Sequence, residues 1–180
     1  MYAYHVVTER PMYKGQQIIF DERHHNGVYK RVQEKLSIVE NIYASPEKYD
    51  VGNLEHHTSV ALRELAMEEI RLKYFPNYPS RMSCLYVSKT LEEAENWGEF
   101  FASIGRPTYH IIRLKFDGNC FMGDATNCFD GRLNKEENLR LAEHYWRSGV
   151  TGTNDKMICE MLIDGKITVL DIVKEINRNI

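Results

Sequence analysis

Residues 157–173 read MICEMLIDGKITVLDIV, and this stretch decides the fold class. Its two apolar, β-branched runs, 157–163 and 167–173, are typical of strands. They flank Asp164-Gly165, a dipeptide that favours a tight hairpin turn. We therefore predict two strands that pair with each other antiparallel. Glu160 interrupts the first run, so its carboxylate must face either solvent or a cavity that supplies polar partners.

The rest of the chain combines strands and helices without strict alternation. Short apolar runs predict strands over 2–7, 17–20, 83–88 and 108–116. Apolar residues at helical spacing, together with capping residues, predict four helices that begin near residues 28, 58, 91 and 135. Since no glycine-rich phosphate loop is present, a doubly wound nucleotide-binding fold is disfavoured. We expect one α+β domain over residues 1–180.

Composition and charge exclude several classes of protein. The chain has 180 residues, 43% of them hydrophobic and 27% charged, as in an ordinary globular protein. Its 23 Lys and Arg against 26 Asp and Glu give a formal net charge of -3, so no global positive field attracts a polyanion. No apolar run reaches the roughly 18 residues that span a bilayer. The four cysteines match neither a disulfide scaffold nor a zinc site. We expect a cytoplasmic protein without membrane contact.

Three segments, far apart in the chain, carry residue types suited to chemistry. The first is Tyr4-His5 in a strand, with Lys14-Gly15 shortly after; the second is Leu85-Tyr86-Val87-Ser88, followed by Thr90 and a helix from Leu91 to Phe101; the third is Glu160-Met161-Leu162, with Gly165 beyond it. An aromatic residue beside a helix N-terminus suits an aromatic, partly anionic ligand. Each segment taken alone is more typical of ordinary structural residues.

In combination, the three segments resemble the ADP-ribosyltransferase superfamily, in the branch whose active site is built from a His, a Tyr and a Glu on three separate strands. The second segment is similar to that of the small bacterial rifamycin ADP-ribosyltransferases, and the chain also resembles an uncharacterised bacterial family related to them. The resemblance implies a split antiparallel or mixed β-sheet with about four flanking helices. It also implies that His5, Tyr86 and Glu160 converge on one cleft.

The resemblance further implies an enzyme that uses NAD as a substrate and transfers ADP-ribose to an acceptor, which is a small molecule, a nucleic acid or a protein. Glu160 would stabilise an oxocarbenium-like transition state, Tyr86 would stack on the nicotinamide and His5 would orient a ribose. Hydroxyl groups of Ser88 and Thr90 would add hydrogen bonds. No metal is required.

Two positions leave alternatives open. In the rifamycin-modifying relatives the acidic residue lies nearer the middle of the chain, so Asp124 competes with Glu160 for that role. Val6 follows the motif His where many members have Gly, which favours a catalytically silent NAD-binding or protein-interaction domain. Another alternative is an NAD-dependent RNA 2′-phosphotransferase, but that chemistry needs a basic cluster that the sequence does not assemble. Because position 158 is Ile rather than Gln or Glu, protein arginine is disfavoured as the acceptor.

Overall fold

Seven strands and five α-helices make up the chain over residues 1–149 and 158–176, the part that this computed structural model describes. The strands are β1 (Tyr2–Thr8), β2 (Gln17–Phe20), β3 (Leu85–Val87), β4 (Thr108–Asp117), β5 (Cys120–Asp124), β6 (Cys159–Ile163) and β7 (Gly165–Glu175). The helices are α1 (Gly27–Gln33), α2 (Leu36–Ala44), α3 (His56–Tyr74), α4 (Leu91–Ser103) and α5 (Lys135–Arg147). The predicted α+β class is confirmed.

The strands form two antiparallel sheets. The first has the order β1-β4-β7-β2 and the second has the order β3-β6-β5. Apolar side chains from both sheets pack into one core cluster, which includes Val7, Ile112 and Leu114 from the first sheet and Met161 and Ile163 from the second. The sheet is therefore split, and the two parts bury their apolar faces against each other.

The hairpin predicted at Asp164-Gly165 is wrong, although both strands are present. β6 pairs with β3 and β5, whereas β7 pairs with β4 and β2, so the two strands lie in different sheets. Met157, the predicted first residue of the earlier strand, lies outside the described residues. A turn dipeptide signals a change of direction, but it does not determine which strand becomes the neighbour.

Two chain segments pass from one sheet into the other, and they do so side by side. β4 continues into β5 and β6 continues into β7, and the two segments run antiparallel to each other through both sheets. At the crossing the Asp164 carboxylate accepts a hydrogen bond from the backbone N–H of Asn119 at 2.6 Å. Gly165 has a φ of +75°, in the left-handed region that favours glycine. The crossing depends on these turn residues.

The helices differ from the prediction at one point. The helix expected from Val28 until Ser45-Pro46 is divided into α1 and α2. Between them the N–H of Lys35 donates to the carbonyl of Val32, three residues back, so the last turn of α1 is tighter than an α-helical turn. β5 was not predicted, since it is short and contains Gly123. In the described part of the chain, no helix combines the length and the apolar character needed to cross a membrane.

Candidate functional site

A cavity of about 520 Å³ is lined by residues of both sheets and of α1, α3 and α4. His5 from β1, Tyr86 from β3 and Glu160 from β6 all line it, together with Ser88 just after β3. The prediction that the three distant segments meet at one cleft is confirmed. The volume lies within the range of about 300 to 1,000 Å³ that is typical of small-molecule sites.

Backbone pairing between the two sheets brings the first two segments together. The N–H of Tyr4 donates to the carbonyl of Ser88 at 2.9 Å, and the N–H of Ser88 donates to the carbonyl of Tyr4 at 2.7 Å. Next to this bridge, His5 Nδ1 lies 2.8 Å from the backbone oxygen of Tyr86. The third segment, which contains Glu160, lies beside the second because β6 pairs directly with β3.

The hydrogen bond of His5 fixes which nitrogen carries its proton. Burial lowers the pKa of His5 to about 4, although the hydrogen bond to the Tyr86 carbonyl partly opposes this shift. The ring is therefore neutral at pH 7. Because a carbonyl oxygen can only accept, the proton of the neutral ring lies on Nδ1, which leaves Nε2 as a hydrogen-bond acceptor for a ligand.

Glu160 is held through one of its two oxygens. Oε1 accepts hydrogen bonds from Nη1 of Arg81 at 2.6 Å and from the hydroxyl of Tyr145 at 2.5 Å. Oε2 has no hydrogen-bond partner among the described residues, and 14% of the side chain is exposed. Within the described residues, Oε1 is therefore the anchored oxygen of the two.

Arg81 connects Glu160 to Glu64, a buried carboxylate. Its Nε donates to Oε2 of Glu64 at 3.0 Å, while Oε1 of Glu64 accepts from Nε of Arg63 at 2.9 Å. We call Arg63, Glu64, Arg81 and Glu160 the buried charge cluster. Burial alone would raise the pKa of Glu64, but the guanidinium groups of Arg81 and Arg63 lower it overall. The cluster holds two positive and two negative charges, so its formal charge is balanced.

Tyr86 contributes a neutral aromatic ring to the cavity. Burial raises the pKa of its phenol well above the ordinary value, and the hydroxyl donates to the backbone oxygen of Arg81 at 3.2 Å. The Arg81 guanidinium lies 5.4 Å from the centre of the ring, within cation–π range. The ring is thus fixed at both its hydroxyl and its face.

Two predicted site residues, Thr90 and Asp124, do not line the cavity. Thr90 is occupied in the capping box of α4, where its hydroxyl accepts from the N–H of Glu93 at 3.2 Å. The carboxylate of Asp124 accepts from the N–H groups of Thr126 and Ile158 and caps the turn after β5. These local backbone bonds remove both residues from the site that the sequence predicted for them.

Sequence reasoning missed most of the polar residues around Glu160. Arg81 lies in a loop, where charged side chains are usually solvated, yet its side chain is 5% exposed. Tyr145 lies on α5, where an aromatic residue is usually part of the core. Glu64 gave the one usable signal, because it lies beside Arg63 within an apolar stretch of α3, where an unpaired carboxylate is not tolerated.

Two further residues bear on the chemistry of the cavity. Val6 is 6% exposed; it packs with Ala94 and Ile111 and also lines the cavity. Burial raises the pKa of the Cys159 thiol, which keeps it protonated beside Glu160. A protonated thiol is a poor nucleophile, so Cys159 is not suited to covalent catalysis.

In a comparison with known protein families, one family model matches a range of the chain that contains every residue lining the cavity. A family model described as "protein of unknown function (DUF2441)" matches residues 3–175, a range that contains His5, Tyr86 and Glu160. No curated protein matches the sequence. Because the match extends over nearly the entire chain, the chain belongs to the DUF2441 family.

Proposed function

We propose that the chain is an NAD-dependent enzyme that transfers ADP-ribose to an acceptor and binds NAD in the cavity. The observation that carries this proposal is the meeting of His5, Tyr86 and Glu160, from three separate strands, around one cavity of about 520 Å³. For cleavage of the nicotinamide–ribose bond, a carboxylate can stabilise the positive charge that develops on the ribose, an aromatic face can hold the nicotinamide and a neutral imidazole can orient a ribose hydroxyl.

The lining of the cavity suits the two kinds of group in a dinucleotide. Tyr4, Tyr86 and Trp97 supply aromatic surface for the planar rings, and Arg31 and Arg106 supply positive charge for phosphate. Val6 lines the cavity and packs against Ala94, and the volume of about 520 Å³ is present with this side chain in place. These features support NAD binding over the non-binding alternative.

Glu160 acts on the charge that develops during bond cleavage. As the bond to nicotinamide breaks, the ribose gains positive character, and an anionic oxygen nearby stabilises it more than it stabilises the substrate. Oε2 is the oxygen with no partner among the described residues, so it is the one assigned to this role. Loss of its charge is expected to lower turnover more than affinity.

His5 and Tyr86 hold the substrate before the bond breaks. Nε2 of the neutral His5 can accept a hydrogen bond from a ribose hydroxyl, and the Tyr86 ring can stack on the nicotinamide. Both contacts exist in the ground state as well as in the transition state. Their loss is therefore expected to weaken NAD binding in addition to turnover.

The test measures, by chromatography, how fast the purified protein releases nicotinamide from NAD. We expect slow release by the wild type and a loss of at least about 100-fold in Glu160→Gln. Glu99→Gln, a change of an exposed carboxylate on α4, is the matched control and should keep wild-type activity. Asp124→Asn should also keep most activity, because Asp124 does not line the cavity. Wild-type protein without turnover or binding at millimolar NAD would contradict the proposal.

A second candidate function is suggested by the arginines around the cavity. Arg31, Arg63, Arg81 and Arg106 all line it, although Arg63 and Arg81 are paired with Glu64 and Glu160, and Arg106 lies 3.7 Å from Glu9. NAD-dependent removal of a 2′-phosphate from RNA needs guanidinium groups that bind phosphate in two-point contacts, and Arg31 is the lining arginine best placed to do so, since it has no carboxylate partner among the described residues. Incubation with NAD and a short 2′-phosphorylated RNA, against the same RNA without the phosphate, separates the two functions. Loss of the RNA phosphate together with NAD consumption would favour this second function.

A further inference from the structure

Tyr145 is a buried phenol on α5 whose hydroxyl meets two charged groups. The residue is 0% exposed, and its ring packs against Phe121 and Trp146. The oxygen lies 2.6 Å from Nη1 of Arg81 and 2.5 Å from Oε1 of Glu160. Packing alone would be served equally well by Phe, so the hydroxyl needs an explanation of its own.

The direction of each hydrogen bond follows from what the groups can donate. A guanidinium can only donate, so the Tyr145 oxygen accepts from Arg81 and its single proton goes to Glu160. Burial raises the pKa of Tyr145 well above its ordinary value, which keeps that proton in place. Arg81, Tyr145 and Glu160 thus form a closed ring in which every donor is assigned.

Arg81 cannot swing away from this ring without leaving another carboxylate unpaired. Its Nε bonds to Glu64, a side chain that is 2% exposed and whose other oxygen is taken by Arg63. Glu64 and Arg63 are both on α3, a helix of 19 residues. The position of Oε1 of Glu160 is therefore determined by a rigid element on one side and by Tyr145 on the other.

We propose that Tyr145 is a positioning residue: with Arg81 it anchors Oε1 of Glu160, so that Oε2 is presented to the reacting ribose. The role rests on the proposed function of Glu160. Tyr145 does not touch the substrate; it acts through Glu160. Without its hydroxyl, the carboxylate keeps one donor instead of two and can rotate, so fewer molecules hold the productive orientation.

The test compares Tyr145→Phe with Tyr43→Phe in the full chain. Tyr43 is a control, because its partly buried hydroxyl accepts a side-chain hydrogen bond from Nδ2 of Asn138 at 2.8 Å and it does not line the cavity. For Tyr145→Phe we expect kcat for nicotinamide release to fall by about 10- to 100-fold with KM within about twofold, as loss of a bond to a charged group implies. Tyr43→Phe should match the wild type. An unchanged kcat in Tyr145→Phe would overturn the proposal.

A crystal structure of Tyr145→Phe gives a readout that does not depend on activity. We expect the Glu160 carboxylate to occupy a rotated or second orientation, while α5 and the ring at position 145 keep their packing. A Glu160 side chain in its wild-type orientation would overturn the positioning role, whatever the activity. If the wild type releases no nicotinamide, the proposed function fails, and this crystal structure still decides whether Tyr145 positions Glu160.

Discussion

Arg81 is the residue on which the polar part of the cavity depends. Its side chain is 5% exposed and contacts two carboxylates, Glu64 and Glu160. Burying this many charges costs desolvation energy, which the mutual attraction and the hydrogen bonds offset only while all partners are present. Removal of one partner is therefore more harmful than replacement of the whole cluster.

Arg81→Met is expected to lower the free energy of unfolding by about 3 to 5 kcal/mol, because it leaves the buried Glu64 and the partly buried Glu160 without their shared cation. Urea denaturation of the full chain measures this. Arg140→Met, a change of an exposed arginine on α5, is the control and should cost less than about 0.5 kcal/mol. A loss of less than about 1 kcal/mol in Arg81→Met would show that the cluster does not hold Glu64 and Glu160 as described.

His5 makes stability depend on pH in a defined window. Its pKa in the folded chain is about 4, below the ordinary value of 6.5, so the unfolded chain binds more protons between these two values. Stability from His5 is therefore complete above pH 6.5 and is lost as the pH falls toward 4. At about 1.4 kcal/mol for each unit of pKa, the full loss is about 3 to 4 kcal/mol.

The corresponding measurement is the free energy of unfolding of wild type and His5→Gln at several pH values. We expect the difference between the two proteins to change across the window from pH 6.5 to pH 4, since only the wild type carries this titration. His144→Gln, at an exposed position on α5, should follow the wild-type curve. Parallel curves for wild type and His5→Gln would contradict the burial-driven pKa of His5.

At the scale of elements, the crossing between the two sheets rests on very close backbone contacts. A Cβ on Gly165 would collide with the carbonyl oxygen of Asp117 and lie 2.8 Å from Cα of Gly118. Gly15 offers a comparison, because it also has a positive φ, +84°, but open space around the same position. Substitution of Gly15 tests only the strain of a positive φ, whereas substitution of Gly165 tests that strain together with the collision of a new Cβ with the backbone of Asp117 and Gly118.

Gly165→Ala is expected to destabilise the chain by at least about 2 kcal/mol more than Gly15→Ala does, since only the first adds a backbone collision to the strain of a positive φ. Urea denaturation of both variants provides the comparison. Equal losses in the two variants would mean that the crossing tolerates a side chain and does not fix the relation of β6 to β7.

The sequence predicted elements better than it predicted their neighbours. Apolar patterning located β6 and β7 to within a few residues, because a strand buried in the core has a local run of apolar residues that the sequence itself shows. It could not show that they lie in different sheets, since pairing depends on β4 and β5, far away in the chain. For the same reason Tyr145 and Arg81 were missed: Arg81 is separated from its partners by 64 and 79 residues.

At the scale of the whole molecule, the split sheet brings the site together. β1 belongs to one sheet, β3 and β6 belong to the other, and the Tyr4–Ser88 bridge joins the two sheets beside His5 and Tyr86. The cavity thus lies where the sheets meet, and helices α1, α3 and α4 close its sides. No local segment could build this site alone, which is why its residues are so widely spaced.

The most direct test of the central claim is a crystal structure of the Glu160→Gln variant with bound NAD, since this change is expected to slow turnover while affinity is kept. We predict that NAD occupies the cavity of about 520 Å³, with its nicotinamide against Tyr86 and a ribose hydroxyl in contact with His5. NAD bound elsewhere on the chain, or an empty cavity in crystals grown at saturating NAD, would contradict the account.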